Sequence, residues 1–287
     1  MWYLPRMKRG VLALSLLTLG AGAALAGAFV GVAVVLLVSA AGPLAAAGSP
    51  ATKLTAGAVF GVALTLVVFA GAELFTGNNM TMLIGRLRGH VSTGEAIAVN
   101  IASLAGNIGG AIGFAAMVHG SGVLSSGAKP GQPAPGAAMV ASLVHGKIAA
   151  PDAQLFWRAV LCNMLVCLAL WMATRASGDA AKCIVLFWGL LAFIASGFEH
   201  SIANVTLFSL AIFQGSASWS DLWHNLILTV PGNIVGGALL VAMPYVAGDQ
   251  RERRMRRLDE ELAAATRRGN RFTRSRSLDA AGEVQPV

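Results

Sequence analysis

Three polar side chains able to do chemistry stand together inside an apolar stretch. Residues 191–208 read LAFIASGFEHSIANVTLF, with Glu199, His200 and Asn204 near the centre and the small Ser196 and Gly197 just ahead of Glu199. An earlier stretch, GAELFTGNN, carries Glu73 and Asn78 in the same pattern. Ionisable groups at membrane depth are costly, so they belong to a bundle interior or a solute path. Imidazole is the side chain that exchanges a proton near neutral pH, which marks His200 as the residue to work in such a path. It has no counterpart in the earlier stretch, where Leu74 takes the matching place. Glu73, Asn78, Glu199 and Asn204 have a plainer use, as partners for backbone groups freed where a helix is interrupted. A glutamate there is expected to be capped by N–H groups or kept protonated.

The elements that position these residues follow from composition. Hydrophobic residues make up 56% of the 287 positions and charged residues only 12%, about half the charge of an ordinary soluble domain. Six apolar spans appear at about 20–43, 55–84, 93–119, 153–176, 181–213 and 223–247, each near the ~20 residues a helix needs to cross hydrocarbon. The second and fifth contain the polar interruptions. The fold class expected is therefore an all-α membrane protein of six spans, with broken second and fifth helices. The opening RMKRGVLALSLLTLGAGAALAGA imitates a secretory leader, but apolar character runs on to about Gly42. That favours an uncleaved first helix behind an interfacial segment, 1–19. Between spans three and four, GSGVLSSGAKPGQPAPGAA reads as loop, within a long Pro-rich connection over 120–152. Residues 248–287 form a basic tail, partly helical and otherwise disordered.

Charge sets orientation. Lys and Arg gather in the N-terminal RMKR, at Arg86 and Arg88, between Arg175 and Lys182, and in the tail. Alternating spans put all of these on one side, and the positive-inside rule makes that side cytoplasmic, with both termini. The +8 net charge thus speaks of headgroups and membrane lipid rather than nucleic acid. Trp157, Trp171, Trp223 and Tyr245 lie near span ends, as interfacial anchors do. Cys162, Cys167 and Cys183 fall inside apolar stretches and read as packed thiols, not a disulfide or zinc framework.

The two interruptions are copies. At an offset of 126, Leu64 meets Leu190, Gly71 meets Gly197, Glu73 meets Glu199 and Asn78 meets Asn204; GNI at 106–108 meets GNI at 232–234. Spans one to three and four to six therefore form a repeat. Three is odd, so the second copy is inverted, an arrangement that places a path between broken helices at the midplane.

These motifs resemble a known family. AGAELFTGNNM, LCNMLVCLALWMA and LLAFIASGFEHSIANVTLF, with GNIVGG in span six, are similar to the formate/nitrite transporter family of microbial anion channels. The resemblance runs from about residue 20 to 247. GVALTLVVFAGAELFTG and LAFIASGFEHSIANVTLF look closest to the nitrite-channel branch, whereas formate channels tend to Asp at position 73 and lack Gly after Thr76. Hydrosulfide-channel relatives share much of this wording. The resemblance implies an aquaporin-like homopentamer with one pore per protomer and a central His matching His200. It implies a Lys before span four and an Asn sixteen residues on, the spacing of Lys147 and Asn163. Apolar constrictions would be Leu64 with Phe75 on one side and Phe193 on the other, and Thr76 would belong to a flexible, gating break. Lys147 rests on spacing alone, and the basic tail has no evident family role.

On this reading Lys147 collects a small monovalent anion and His200, or water ordered by it, supplies or relays a proton. The neutral acid then crosses the constrictions while Asn163 and the breaks satisfy its oxygens. The competing mechanism keeps the substrate anionic beside a protonated His200. Nitrite is the first substrate expected, with formate or hydrosulfide as alternatives. A membrane enzyme or sensor would need intramembrane metal-ligand clusters, and His90, His119, His145 and His224 instead lie near span ends. An aquaporin-type pore would need paired Asn-Pro-Ala half-helices, which the sequence lacks. No metal or cofactor is expected.

Overall fold

The computed structural model describes residues 9–249, 258 and 260, with side chains from Thr18 onward. Among the described residues the regular structure is helical. It comprises α1 (Arg9–Ala46), α2 (Thr52–Phe60), α3 (Val62–Ala70), α4 (Phe75–Leu87), α5 (Thr93–Ser121), α6 (Pro135–Ile148), α7 (Asp152–Arg175), α8 (Asp179–Ala195), α9 (Ser201–Phe213) and α10 (Trp219–Gly237). A 3₁₀ turn, Val123–Ser125, precedes α6, and a π-helical turn, Ala238–Ala242, continues α10. The chain divides into two units, Met1–Met243 and Pro244–Val287. In the second, residues 244–249 are helical. Most of the tail, and residues 1–8, lie outside the described residues. Residues 9–19, expected at the interface, are helix continuous with the first span.

Among the described residues, five helical stretches are long and apolar enough to cross a membrane. The remaining span is the broken pair α8–α9. Its partner in the repeat is α2–α3–α4, and both breaks begin in the same way. Gly71 and Gly197 each adopt φ +76°, the left-handed conformation that ends a helix. Beyond them Ala72 N donates to Val67 O at 2.9 Å, and Phe198 N to Phe193 O at 3.0 Å. Glycine is required at both positions because a Cβ is disfavoured at that φ.

The remaining elements obey the same symmetry. Ser92 caps α5 in a reciprocal box with Glu95, and Ser218 caps α10 with Asp221. α1 packs on α5, and α7 on α10. A Cβ on Gly110 would overlap the Ala24 carbonyl, and one on Gly236 the Val160 carbonyl. Small residues therefore let each pair of backbones touch, as membrane helices commonly do.

The connection between the repeats departs from expectation. Residues 120–152 are not all loop, since α6 occupies Pro135–Ile148. Pro135 stands at the start of that helix, where its fixed φ and missing N–H cost nothing. Met139, Val140 and Val144 bury one face, at helical spacing. The Gly and Pro residues ahead of it drew the loop reading too far.

Candidate functional site

Each break frees backbone groups, and an asparagine from the following span holds them. Asn107 Nδ2 donates to Ala23 O at 2.7 Å and Glu73 O at 2.9 Å, while its Oδ1 accepts from Phe75 N at 2.8 Å. Asn233 Nδ2 donates to Ala159 O at 2.8 Å and Glu199 O at 3.0 Å, and its Oδ1 accepts from Ser201 N at 2.9 Å. Glu73 N and Glu199 N donate at 3.2 Å to Gly22 O and Arg158 O. This clamping was expected of the four residues within the breaks, but their side chains bond elsewhere. Asn78 Nδ2 reaches Glu73 Oε2 at 3.3 Å. Asn204 Nδ2 reaches Glu199 Oε2 at 2.7 Å and Asn225 Oδ1 at 2.8 Å. The signal for Asn107 and Asn233 lay in the repeated GNI.

Beside the second break lies a cavity of ≈ 630 Å³ at the end of the fold where α1 finishes. Phe193, Glu199, His200 and Asn204 line it, with Lys147 from the last turn of α6. Lys147 Nζ is 2.6 Å from Glu199 Oε2, and that carboxylate is almost wholly buried. Lys147, expected to collect the anion, lines this cavity with its charge paired to Glu199. Lys53 and Arg158 also line this cavity, so the walls carry three cations against one carboxylate. Neither was singled out by the sequence reading.

His200 sits at the inner part of this site. Its ring stacks on Phe193 at 5.9 Å, and Phe193 in turn meets Phe60 edge-on at 5.7 Å. Nδ1 accepts the Ala203 N–H at 3.2 Å, which makes His200 the side-chain N-cap of α9. With Nδ1 accepting, the neutral ring carries its hydrogen on Nε2. Nε2 lies 3.2 Å from Thr76 Oγ1 in the other repeat. The histidine thus joins the two breaks, and Thr76 retains its own O–H to donate. A doubly protonated ring would lose the cap on α9.

Thr76 stands in the first turn of α4, fully buried, rather than in the non-helical stretch. Asn163 is fully buried as well. Its Nδ2 donates to Thr76 O at 3.0 Å and Asn233 O at 2.6 Å. Those two bonds use both of its N–H groups, so in this conformation it fixes Thr76 instead of facing solute. Leu64 is buried on α3 and borders neither cavity.

A second cavity, ≈ 420 Å³, opens at the end where α5 begins. Phe75 lines it, next in the chain to Thr76. No described residue lines both cavities; His200 lines the larger, and Phe75 beside Thr76 the smaller. The first turns of α4 and α9 start here, so the positive ends of two helix dipoles converge on the middle.

Comparison with known proteins decides what this arrangement belongs to. The model of the formate/nitrite transporter family matches residues 7–247. The chain belongs to the formate/nitrite transporter family. It is 41% identical over 226 residues to the nitrite transporter NirC of Escherichia coli (strain K12), covering 77% of this chain and 80% of that one. It is also 41% identical over 236 residues to a probable formate transporter of Methanothermobacter thermautotrophicus, covering 77% and 85%. Among solved structures, an FNT family ion channel aligns with TM-score 0.75 and 36% identity over 83% of this chain and 92% of that one. A pentameric formate channel with formate bound aligns with TM-score 0.67 and 26% identity over 80% and 96%. The protein is a multi-pass membrane transporter of this family, and its relatives are transporters and channels rather than enzymes.

Proposed function

We propose that this chain conducts nitrite across the cytoplasmic membrane, as its conjugate acid through the narrow centre. Each protomer of a homopentamer supplies one pore, with both termini in the cytoplasm. The observation that carries the mechanism is the bonding of His200, with Nδ1 capping α9 and Nε2 at Thr76 Oγ1. A neutral ring fits these bonds and a fixed cationic ring does not, which favours a neutral solute over an escorted anion.

The path begins in the larger cavity, where Lys53 and Arg158 draw anions in. Dehydrating a monovalent anion in an apolar pore costs on the order of tens of kcal/mol in the Born limit. Because Glu199 neutralises Lys147, the field at the inner wall is weak. Desolvation there shifts the anion toward its acid, which takes a proton from cavity water. The uncharged acid passes Phe193 and Phe75, and the Thr76 hydroxyl, oriented by His200, donates to its oxygen. Beyond Phe75 the acid returns its proton to water.

The likeness to the nitrite transporter of Escherichia coli supports nitrite. Formate is the second reading, favoured by equal identity to a probable formate transporter. Uptake into proteoliposomes, with nitrite, formate and hydrosulfide in competition at two pH values, tests the assignment. Nitrite should compete best and enter faster at the lower pH. Preference for formate replaces the substrate, and exclusion of all three refutes the function.

A further inference from the structure

The two halves of the fold share their clamps but differ in what surrounds them. Gly22 O and Arg158 O receive the N–H groups of the two break glutamates, and Ala23 O and Ala159 O receive the two clamping asparagines. α1 and α7 therefore correspond at an offset of 136, while the breaks correspond at 126. By these offsets four polar residues match apolar or side-chain-free ones: Thr76 matches Ile202, His200 Leu74, Asn163 Gly27 and Cys167 Gly31. These four, present in one half only, are bonded to one another. Thr76 Oγ1 is 3.2 Å from His200 Nε2, and Thr76 O receives Asn163 Nδ2 at 3.0 Å and Cys167 Sγ at 3.4 Å. The thiol also lies 3.6 Å from Asn163 Oδ1. Cys167 is fully buried and lines neither cavity. α10 makes room for both donors, since a Cβ on Gly237 would lie 2.7 Å from Asn163 Nδ2 and 2.8 Å from Cys167 Sγ.

We infer that Cys167 is a positioning residue, holding the Thr76 carbonyl so that the Thr76 hydroxyl meets His200. Parts found in both halves serve the scaffold that the halves share. A bonded set found once serves what the halves do differently. Cys167 and Asn163 stand one turn apart on α7 and grip the same carbonyl in the first turn of α4. A thiol is a weak donor, but this one is enclosed and has an acceptor in reach. Without it, α7 holds that carbonyl by Asn163 alone, and the first turn of α4 can draw back from His200. Cys167 touches no solute and acts through Thr76. This rests on the proposed passage of solute at Thr76 and His200.

The test uses the full chain in proteoliposomes with nitrite as probe, and rates are taken per folded protein. Cys167→Ala should lower maximal uptake roughly threefold, the lower range for one neutral hydrogen bond, with half-saturation unchanged. Cys167→Ser keeps a donor and should restore the parent rate. Cys162→Ala makes the same truncation at another buried position of α7 and should leave the rate unchanged. In a Cys162→Ala/Cys183→Ala protein Cys167 is the one remaining thiol, and its infrared S–H stretch should fall below that of a free thiol. If Cys167→Ala fails to assemble, Gly237→Ala, which displaces the thiol, takes its place in the rate measurement. A free-thiol stretch, an unchanged rate in Cys167→Ala, or an equal loss in Cys167→Ser or Cys162→Ala overturns the inference. A parent protein that carries neither nitrite nor formate refutes the transport reading instead.

Discussion

Replacing Lys147 with methionine leaves the Glu199 carboxylate buried without its counter-charge. In the parent, Glu199 Oε2 receives Lys147 Nζ at 2.6 Å and Asn204 Nδ2 at 2.7 Å, with the Glu199 side chain 3% exposed and that of Lys147 16%. Removing one partner of a buried ion pair costs about 3–5 kcal/mol. Water from the adjoining cavity can enter the vacated space, which places the expected loss near the lower end, ~3 kcal/mol. Glu199→Gln should cost only ~1 kcal/mol, because the lysine can turn into the cavity. The double variant removes the stranded charge and should recover to within ~1 kcal/mol of the parent. Denaturant unfolding in micelles, followed by tryptophan fluorescence, measures all four proteins. A Lys147→Met variant as stable as the parent, with no recovery in the double variant, would refute the assignment of this pair.

Three further substitutions probe the scaffold. Asn233→Leu removes two bonds to the second break and one to Ala159 O of α7 and should cost ~3 kcal/mol, read as a lowered unfolding midpoint with loss of flux. Gly197→Ala forces a Cβ onto φ +76° and should cost ~1–2 kcal/mol, measurable in the same unfolding assay. Gly236→Ala pushes a methyl into the Val160 carbonyl and should cost ~1–3 kcal/mol; an unchanged midpoint would contradict the close approach of α7 and α10.

How far the sequence reveals this protein depends on the kind of signal. The breaks were legible because Gly71 and Gly197 do a job only glycine does well, and they recur with Glu and Asn at one offset. The inverted repeat followed from that offset, and structure extends it to the paired capping boxes and asparagine clamps. First and fourth spans escaped the comparison because their offset is 136: Gly22 and Ala23 pair with Arg158 and Ala159 as break partners. α6 escaped because Gly and Pro ahead of Pro135 mask a short helix. The roles of Lys147, Asn163 and Glu199 depend on which atoms meet across the fold. Residue type alone cannot distinguish a lysine that attracts solute from one tied to a buried carboxylate. His200 stood out by chemistry, but its capping of α9 required coordinates, since histidine is seldom an N-cap.

The central claim is that solute crosses the Thr76–His200 contact uncharged. Simultaneous recording of nitrite entry and lumenal pH in proteoliposomes, with the membrane potential clamped and protein-free vesicles as the reference, tests it directly. One proton should accompany each nitrite, acidifying the lumen at a rate indifferent to voltage. Nitrite entry that follows the voltage and leaves lumenal pH unchanged would contradict the claim.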